Sequence, residues 1–282
     1  MRFRTEIQVS RGAFDIGGDD KIVMLGSCFT DEVGERLLHD GFDVVANPLG
    51  PIYNPIVLAR TLRRALDGYS FSEADLMDGP RGSHCLEYAT RYSGAPDDTL
   101  RRLNEDFSAL SDALANCQTL ILTLGTAYVF EYQTTGAVVG NCHKFHDSLF
   151  TRRRLHPGEV VDALEPVLER LSKTCNIILT VSPIRHLADG LHGNTLSKST
   201  LHLAADILMR RVRGVEYFPA FEILVDDLRD YRFYAEDMKH PSPVAVDYIY
   251  EIFSNTYFNE TVKTLAIERR RQYKQQNHRQ IL

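Results

Sequence analysis

Residues 26–30, Gly26-Ser27-Cys28-Phe29-Thr30, place a hydroxyl beside a thiol directly after the first apolar run, Ile22 to Leu25. Serine and cysteine are the side chains most used as acyl-accepting nucleophiles. A strand that ends in glycine and opens into a helix sets such residues at the strand's carboxyl end, where ligands bind in an open α/β sheet. Far along the chain, Asp237-Met238-Lys239-His240 supplies a carboxylate and an imidazole on the loop after the fifth expected strand, which would bring them to the same rim. Each motif also has a plainer use. Ser27 is a natural turn or cap hydroxyl, and Asp237-x-x-His240, taken alone, reads first as a local side-chain hydrogen bond ahead of a helix.

Other polar residues sit at strand ends and loops. Arg185-His186 follows a run that reads as a strand, so Arg185 is a fork for an anionic group or an ion-pair partner for Asp226, Asp227 or Asp230. Asn141-Cys142-His143-Lys144 reads by itself as a polar loop. Cysteine and histidine also suit zinc, and Cys28, Cys142, His143 and His186 define an alternative in which the protein is a zinc enzyme. The five cysteines (28, 85, 117, 142 and 175) are scattered and form no Cys-x-x-Cys pair, which disfavours a disulfide framework or zinc finger. Cys117 and Cys175 precede apolar runs and read as small core residues.

The elements that position these groups follow from the apolar pattern. Strands are expected at 21–25, 42–46, 119–124, 176–181 and 215–218, and helices at 30–39, 56–66, 100–115, 157–171, 197–213 and 244–258. Residues 127–132 and 137–139 read as a β-hairpin. Residues 67–98, irregular and rich in Gly, Ser and Asp, read as an excursion over the surface with lid character. Residues 1–20 read as an arm, and the stretch from about 260 to 282 as a polar tail, its basic end from Glu268 an exposed helix or frayed end rather than a binding arm. Strands alternating with helices predict one α/β domain over 1–282 with a mostly parallel five-stranded sheet covered on both faces. In the flavodoxin-like order 2-1-3-4-5, Gly26-Ser27-Cys28 faces Gly125-Thr126 across the switch point.

Composition narrows the function classes. The chain has 282 residues, 44% of them hydrophobic, with a net charge of -6 and pI near 5.9. That balance disfavours nucleic acid as a partner. No apolar run is long enough to cross a bilayer, and the first residues lack the apolar stretch of a secretory signal. No membrane partner and a cytoplasmic location are therefore the expectations. No G-x-G-x-x-G or Walker A pattern occurs, so no cofactor is expected.

Gly26-Ser27-Cys28-Phe29-Thr30 resembles the motif that names the GSCFA family, in which the last residue is usually alanine. The likeness extends to Asn47-Pro48-Leu49-Gly50, Leu124-Gly125-Thr126-Ala127, Asn141-Cys142-His143-Lys144, Ser182-Pro183-Ile184-Arg185-His186 and Asp237-Met238-Lys239-His240-Pro241-Ser242. The order of these blocks is similar to that of the SGNH (GDSL) hydrolases. This resemblance implies a three-layer flavodoxin-like sandwich and esterase, deacetylase or acyltransferase chemistry on small O-acyl groups, with a saccharide as one candidate carrier. It implies His240 as base, Asp237 as its orienting group and Gly50 as an oxyanion donor, and a place in the substrate pocket for Asn141-Cys142-His143-Lys144. Counting from the glycine places Cys28 in the nucleophile's register and Ser27 in that of an aspartate. Gly125-Thr126-Ala127 matches the Gly-x-Asn block only at Gly125, leaving Asn54, Asn141 or Thr126 as substitutes for the missing side-chain donor. A non-catalytic small-molecule-binding protein on the same fold is the remaining alternative.

Overall fold

The computed structural model describes residues 4–79, 82–89 and 91–279. Five parallel strands form the central sheet: β1 (Lys21–Gly26), β2 (Asp43–Ala46), β3 (Thr119–Leu124), β4 (Asn176–Val181) and β5 (Val215–Tyr217), in the order β5-β4-β3-β1-β2. This is the expected 2-1-3-4-5 arrangement. Strand β1 pairs with β2 through Ile22↔Val44 and with β3 through Ile22↔Thr119; β3 pairs with β4 through Thr119↔Asn176. The three inner strands are continuous apolar runs because both of their faces are covered. Val23, Leu25, Leu120, Leu122, Ile177 and Leu179 point into one core, whereas Ile22, Met24, Ile121 and Ile178 point into the other. Each fully buried aliphatic side chain of this kind stabilises the fold by about 1.5–3 kcal/mol.

One layer contains α1 (Phe29–His39) and, later in sequence, α6 (Pro243–Tyr257) and α7 (Glu260–Arg279). The opposite layer contains α2 (Pro55–Leu66), α3 (Pro96–Ala115), α4 (Pro157–Leu171) and α5 (Gly190–Arg211). Local chemistry sets several starts. Asn54 caps α2 by accepting the Val57 N–H, with Pro55 at the first helical position, and Ser242 caps α6 through the Ala245 N–H. Helix α1 begins at Phe29 with Cys28 as its cap residue rather than Thr30, which is buried within the first turn.

Three segments differ from expectation. The excursion at 67–98 is anchored rather than superficial. Phe71, Cys85, Tyr88 and Tyr92 are buried in the main core, and Met77–Gly79, Gly82–His84 and Ser93–Gly94 form a small antiparallel sheet. The hairpin Tyr128–Tyr132/Ala137–Val139 gains a third strand, Phe150–Arg154, whose Thr-Arg-Arg-Arg sequence carries no apolar alternation. The tail is tied back to the body. Arg270 on α7 reaches the buried Asp40 through two bonds of 2.5 Å, and the Tyr250 hydroxyl donates to the same carboxylate at 2.7 Å. The ends of the expected arm (1–3) and tail (280–282) lie outside the described residues.

Candidate active site

The first corner is built by β1, β3 and the loop after β2. Gly26 has φ +144°, and a Cβ there would lie 2.2 Å from the Thr123 carbonyl oxygen of β3. Only glycine lets β1 end this close to its neighbour. The Ser27 N–H then donates to the same Thr123 oxygen at 3.1 Å. Asn47, itself at φ +41°, clamps the turn from the other side. Its Oδ1 accepts the Gly26 N–H at 2.9 Å, and its Nδ2 donates to the Ser27 carbonyl at 3.3 Å and to Asp31 Oδ1 at 2.9 Å.

These constraints separate the two candidate nucleophiles. Ser27 is buried, and its hydroxyl donates to Ser182 Oγ at 2.9 Å behind the sheet's edge. Cys28 is partly exposed, and its sulfur lies 3.6 Å from His240 Nε2. His240 Nδ1 lies 2.6 Å from Asp237 Oδ2. The other oxygen of Asp237 accepts the N–H groups of Lys239 (2.9 Å) and His240 (3.0 Å), a local turn in which Met238 takes φ +56°. Those bonds, led by the backbone donors, hold the Asp237 carboxyl well below the usual carboxylate range. An ionised carboxylate only accepts hydrogen bonds, so the Nδ1 of His240 carries the proton and Nε2 presents its lone pair to the thiol.

The electrostatics of Cys28 run against a free thiolate. Burial pushes its thiol up, its own N–H and the Tyr53 hydroxyl pull it down, and Asp31 and Glu32 add to the rise. The amino end of α1 therefore does not dominate, and Cys28 rests as a thiol whose proton must be taken by a base. Tyr53 belongs to the proline-rich loop 47–55 and was not marked by any sequence signal. Its hydroxyl meets the Cys28 sulfur and is pushed up to about 12, chiefly by burial.

The remaining expected residues take structural places. The Gly50 N–H closes a turn on the Asn47 carbonyl at 2.7 Å. The N–H groups of Gly125 and Thr126 both donate to the Tyr53 carbonyl, at 3.1 and 2.9 Å. The Asn54 Nδ2 donates to the Val139 carbonyl, and the Thr126 hydroxyl meets Ser197 Oγ at 3.1 Å. Asn141 Oδ1 accepts the His143 N–H, and His143 Nε2 meets the Cys85 carbonyl at 2.6 Å, so this loop fastens the 67–98 excursion. His186 Nε2 meets the Gly125 carbonyl at 2.9 Å, and burial pushes its imidazole down to about 4. Cys28, Cys142, His143 and His186 are thus not assembled into a zinc site. Among the described residues no group of three or more His, Cys, Asp or Glu is placed to hold a metal. Among the described residues Arg185 forms no ion pair with Asp226, Asp227 or Asp230 of the acidic loop. It lies over Tyr231 and Tyr234, at 5.8 and 5.2 Å from the ring centres, and donates to the Met238 carbonyl at 3.3 Å, bracing the His240 loop.

Lys198, in the middle of α5, is fully buried beneath this corner. Its Nζ donates to the Gly125 and Ser182 carbonyls, both at 2.7 Å, tying the ends of β3 and β4 together. Burial lowers its pKa from 10.5 to about 7. Between those two values the folded chain binds fewer protons than the unfolded one, so stability contributed at this site rises as pH rises through the window and falls as pH drops. Relative to Lys198→Met, which does not titrate, the native protein is expected to gain on the order of 3 kcal/mol of unfolding free energy between pH 7 and pH 10. Urea denaturation of both proteins at stepped pH reads this directly. A pH-independent difference would mean that Lys198 keeps its proton in the fold.

Sheet order and corner geometry together define an α/β protein with a cysteine, a histidine and an aspartate in line at the carboxyl edge of a flavodoxin-like sheet. Residues 21–253 match the GSCFA family, and the chain belongs to it. No curated protein matches the chain significantly. Solved structures similar to it include a protein from Streptococcus pneumonia (12% identity, 83% of this chain and 84% of that one, TM-score 0.44). Two others are a psychrotrophic esterase from Pseudoalteromonas sp. (11%, 84% and 96%, 0.42) and an acetyl xylan esterase from the rumen bacterium Butyrivibrio proteoclasticus (13%, 89% and 66%, 0.34).

Proposed function

We propose that this protein is an acyl-ester hydrolase or acyltransferase that works through a thioester on Cys28. The observation that carries the reading is the line Cys28 Sγ, His240 Nε2 at 3.6 Å, and His240 Nδ1 to Asp237 at 2.6 Å. His240 Nε2 takes the thiol proton as sulfur bonds to the acyl carbon, and the carbonyl π pair moves onto oxygen. As the C–O bond breaks, the imidazolium returns that proton to the departing alkoxide. A water or an acceptor hydroxyl then gives its proton to His240, attacks the thioester and restores the thiol. Asp237 fixes the tautomer and stabilises the transient imidazolium.

Cys28 is preferred over Ser27 because the serine hydroxyl is buried and bonded away from His240. The half-exposed rim around His240 suits a small O-acyl group on a larger alcohol. The resemblance to SGNH hydrolases adds a saccharide as a candidate carrier. Brief incubation with p-nitrophenyl acetate, acid quenching and peptide mass spectrometry test the reading. An acetyl group on the Cys28 peptide, released by neutral hydroxylamine, is the expected result. Acetylation confined to Ser27, or turnover with no acyl-enzyme under any quench, would overturn it.

A further inference from the structure

The thioester reading leaves one chemical requirement unmet by the residues expected to meet it. A tetrahedral intermediate needs donors for its oxyanion. The Gly50, Gly125 and Thr126 N–H groups all have carbonyl acceptors within the fold, and the Asn54 Nδ2 is held by Val139. Ala127, which stands where an asparagine would be sought, has no side-chain donor, and its N–H is taken by Ser197 Oγ at 2.8 Å. The Cys28 N–H, by contrast, meets no acceptor other than its own sulfur among the described residues. One backbone donor is therefore in place, and a second has to come from a side chain.

The Gly125-Thr126 block is shaped to seat Tyr53. Both of its N–H groups donate to the Tyr53 carbonyl, and the Ile52 N–H donates to the Gly26 carbonyl at 2.8 Å. A Cβ on Gly125 would lie 2.8 Å from that Tyr53 oxygen, 3.1 Å from the Tyr53 Cα and 3.4 Å from the Ser27 Cβ. The glycine thus lets the Tyr53 backbone pack directly beside the nucleophile's turn. Lys198 and His186 both donate to the carbonyl of Gly125 and so fix the far side of the seat. Tyr53 is 40% exposed, open to an incoming substrate, and its hydroxyl has no side-chain partner other than Cys28 among the described residues.

We infer that Tyr53 is a catalytic residue of this site: resting on the thioester reading, its hydroxyl donates to the oxyanion together with the Cys28 N–H, in place of the side-chain donor that Ala127 lacks. The oxyanion forms two bonds from the sulfur whose thiol the neighbouring Tyr53 hydroxyl pulls down, so a small turn of the phenol brings the hydroxyl to that oxygen. No proton leaves Tyr53. Its hydroxyl, pushed up to about 12, stays protonated and able to donate throughout the neutral range.

Tyr53→Phe removes one oxygen and leaves the seat intact. On p-nitrophenyl acetate the acylation rate, read by stopped flow, is expected to fall about 10²–10³-fold with KM changed by less than about threefold. Thermal melting should stay at the native value. A second readout separates donation from packing. Inhibition by a simple aldehyde, which adds reversibly to the Cys28 thiol and presents the same oxygen, should weaken by a similar factor. An acylation rate within about threefold of native, with acetyl-Cys28 still formed, overturns the role of Tyr53 and leaves the thioester reading standing. If Cys28→Ala retains native turnover, the thioester reading fails first, and Tyr53→Phe loses its meaning as an oxyanion test.

Discussion

Cys28→Ala is expected to lower kcat on an activated ester by about 10⁴-fold or more, leaving only what the site's shape and donors contribute. The size follows from the geometry. His240 has Nε2 3.6 Å from the Cys28 sulfur, its one hydrogen-bond partner at that nitrogen among the described residues. Ser27→Ala provides the contrast within the same turn. Its hydroxyl is bonded to Ser182 in the interior, so its loss is expected to cost about 1 kcal/mol of stability and to change kcat by less than about tenfold. Steady-state kinetics of the two variants beside native protein decide the matter. Equal losses, or a larger loss from Ser27→Ala, would move the chemistry to the serine and require the turn to rearrange in the substrate complex.

Asp237→Asn is expected to lower kcat by about 10³–10⁴-fold while leaving the fold undisturbed. Asparagine keeps an oxygen for the Lys239 and His240 N–H groups, so the tight turn at Met238 survives. What changes is the group facing Nδ1. An amide NH₂ at that place donates, which forces the imidazole proton onto Nε2 and points it at the thiol. The base then carries a proton where its lone pair is needed. Iodoacetamide labelling read peptide by peptide should show Cys28 less reactive near neutral pH in the variant than in the native chain. Native-like turnover in Asp237→Asn would show that His240 is oriented by something other than this carboxylate. Because the Asp237 carboxyl is held well below its ordinary range, it is expected to stay ionised through mild acid. Any loss of activity in mild acid must therefore belong to another group.

Much of the framework was legible in the chain. The apolar runs at 22–25, 119–124 and 176–181 are too continuous for one-sided strands, and their alternation with helical segments leads to a parallel sheet. The pairing of Asp237 with His240 was legible too, because three residues of a turn suffice to close that hydrogen bond. The segments misread are those whose stability is not local. Phe150–Arg154 has no apolar alternation and is a strand only because the hairpin offers it a ladder. The 67–98 excursion looks polar by composition, but a few buried aromatics carry it into the core.

By itself the sequence determined the fold class, the strand that ends in Gly26, and the closeness of Asp237 to His240. These rest on period, spacing and turn chemistry within a few residues. Only the tertiary structure sets where Ser27 and Cys28 point, burying the hydroxyl against Ser182 and placing the thiol beside His240, since the crossing of β1, β3 and the Asn47 clamp fixes the turn. It also turned Gly125-Thr126 from an expected oxyanion donor into the seat of Tyr53, and made Lys198, which no sequence signal marked, a buried tie. Those roles depend on hydrogen bonds spanning tens of residues. No local pattern carries such a partnership, because it exists only once the sheet has brought the strand ends together.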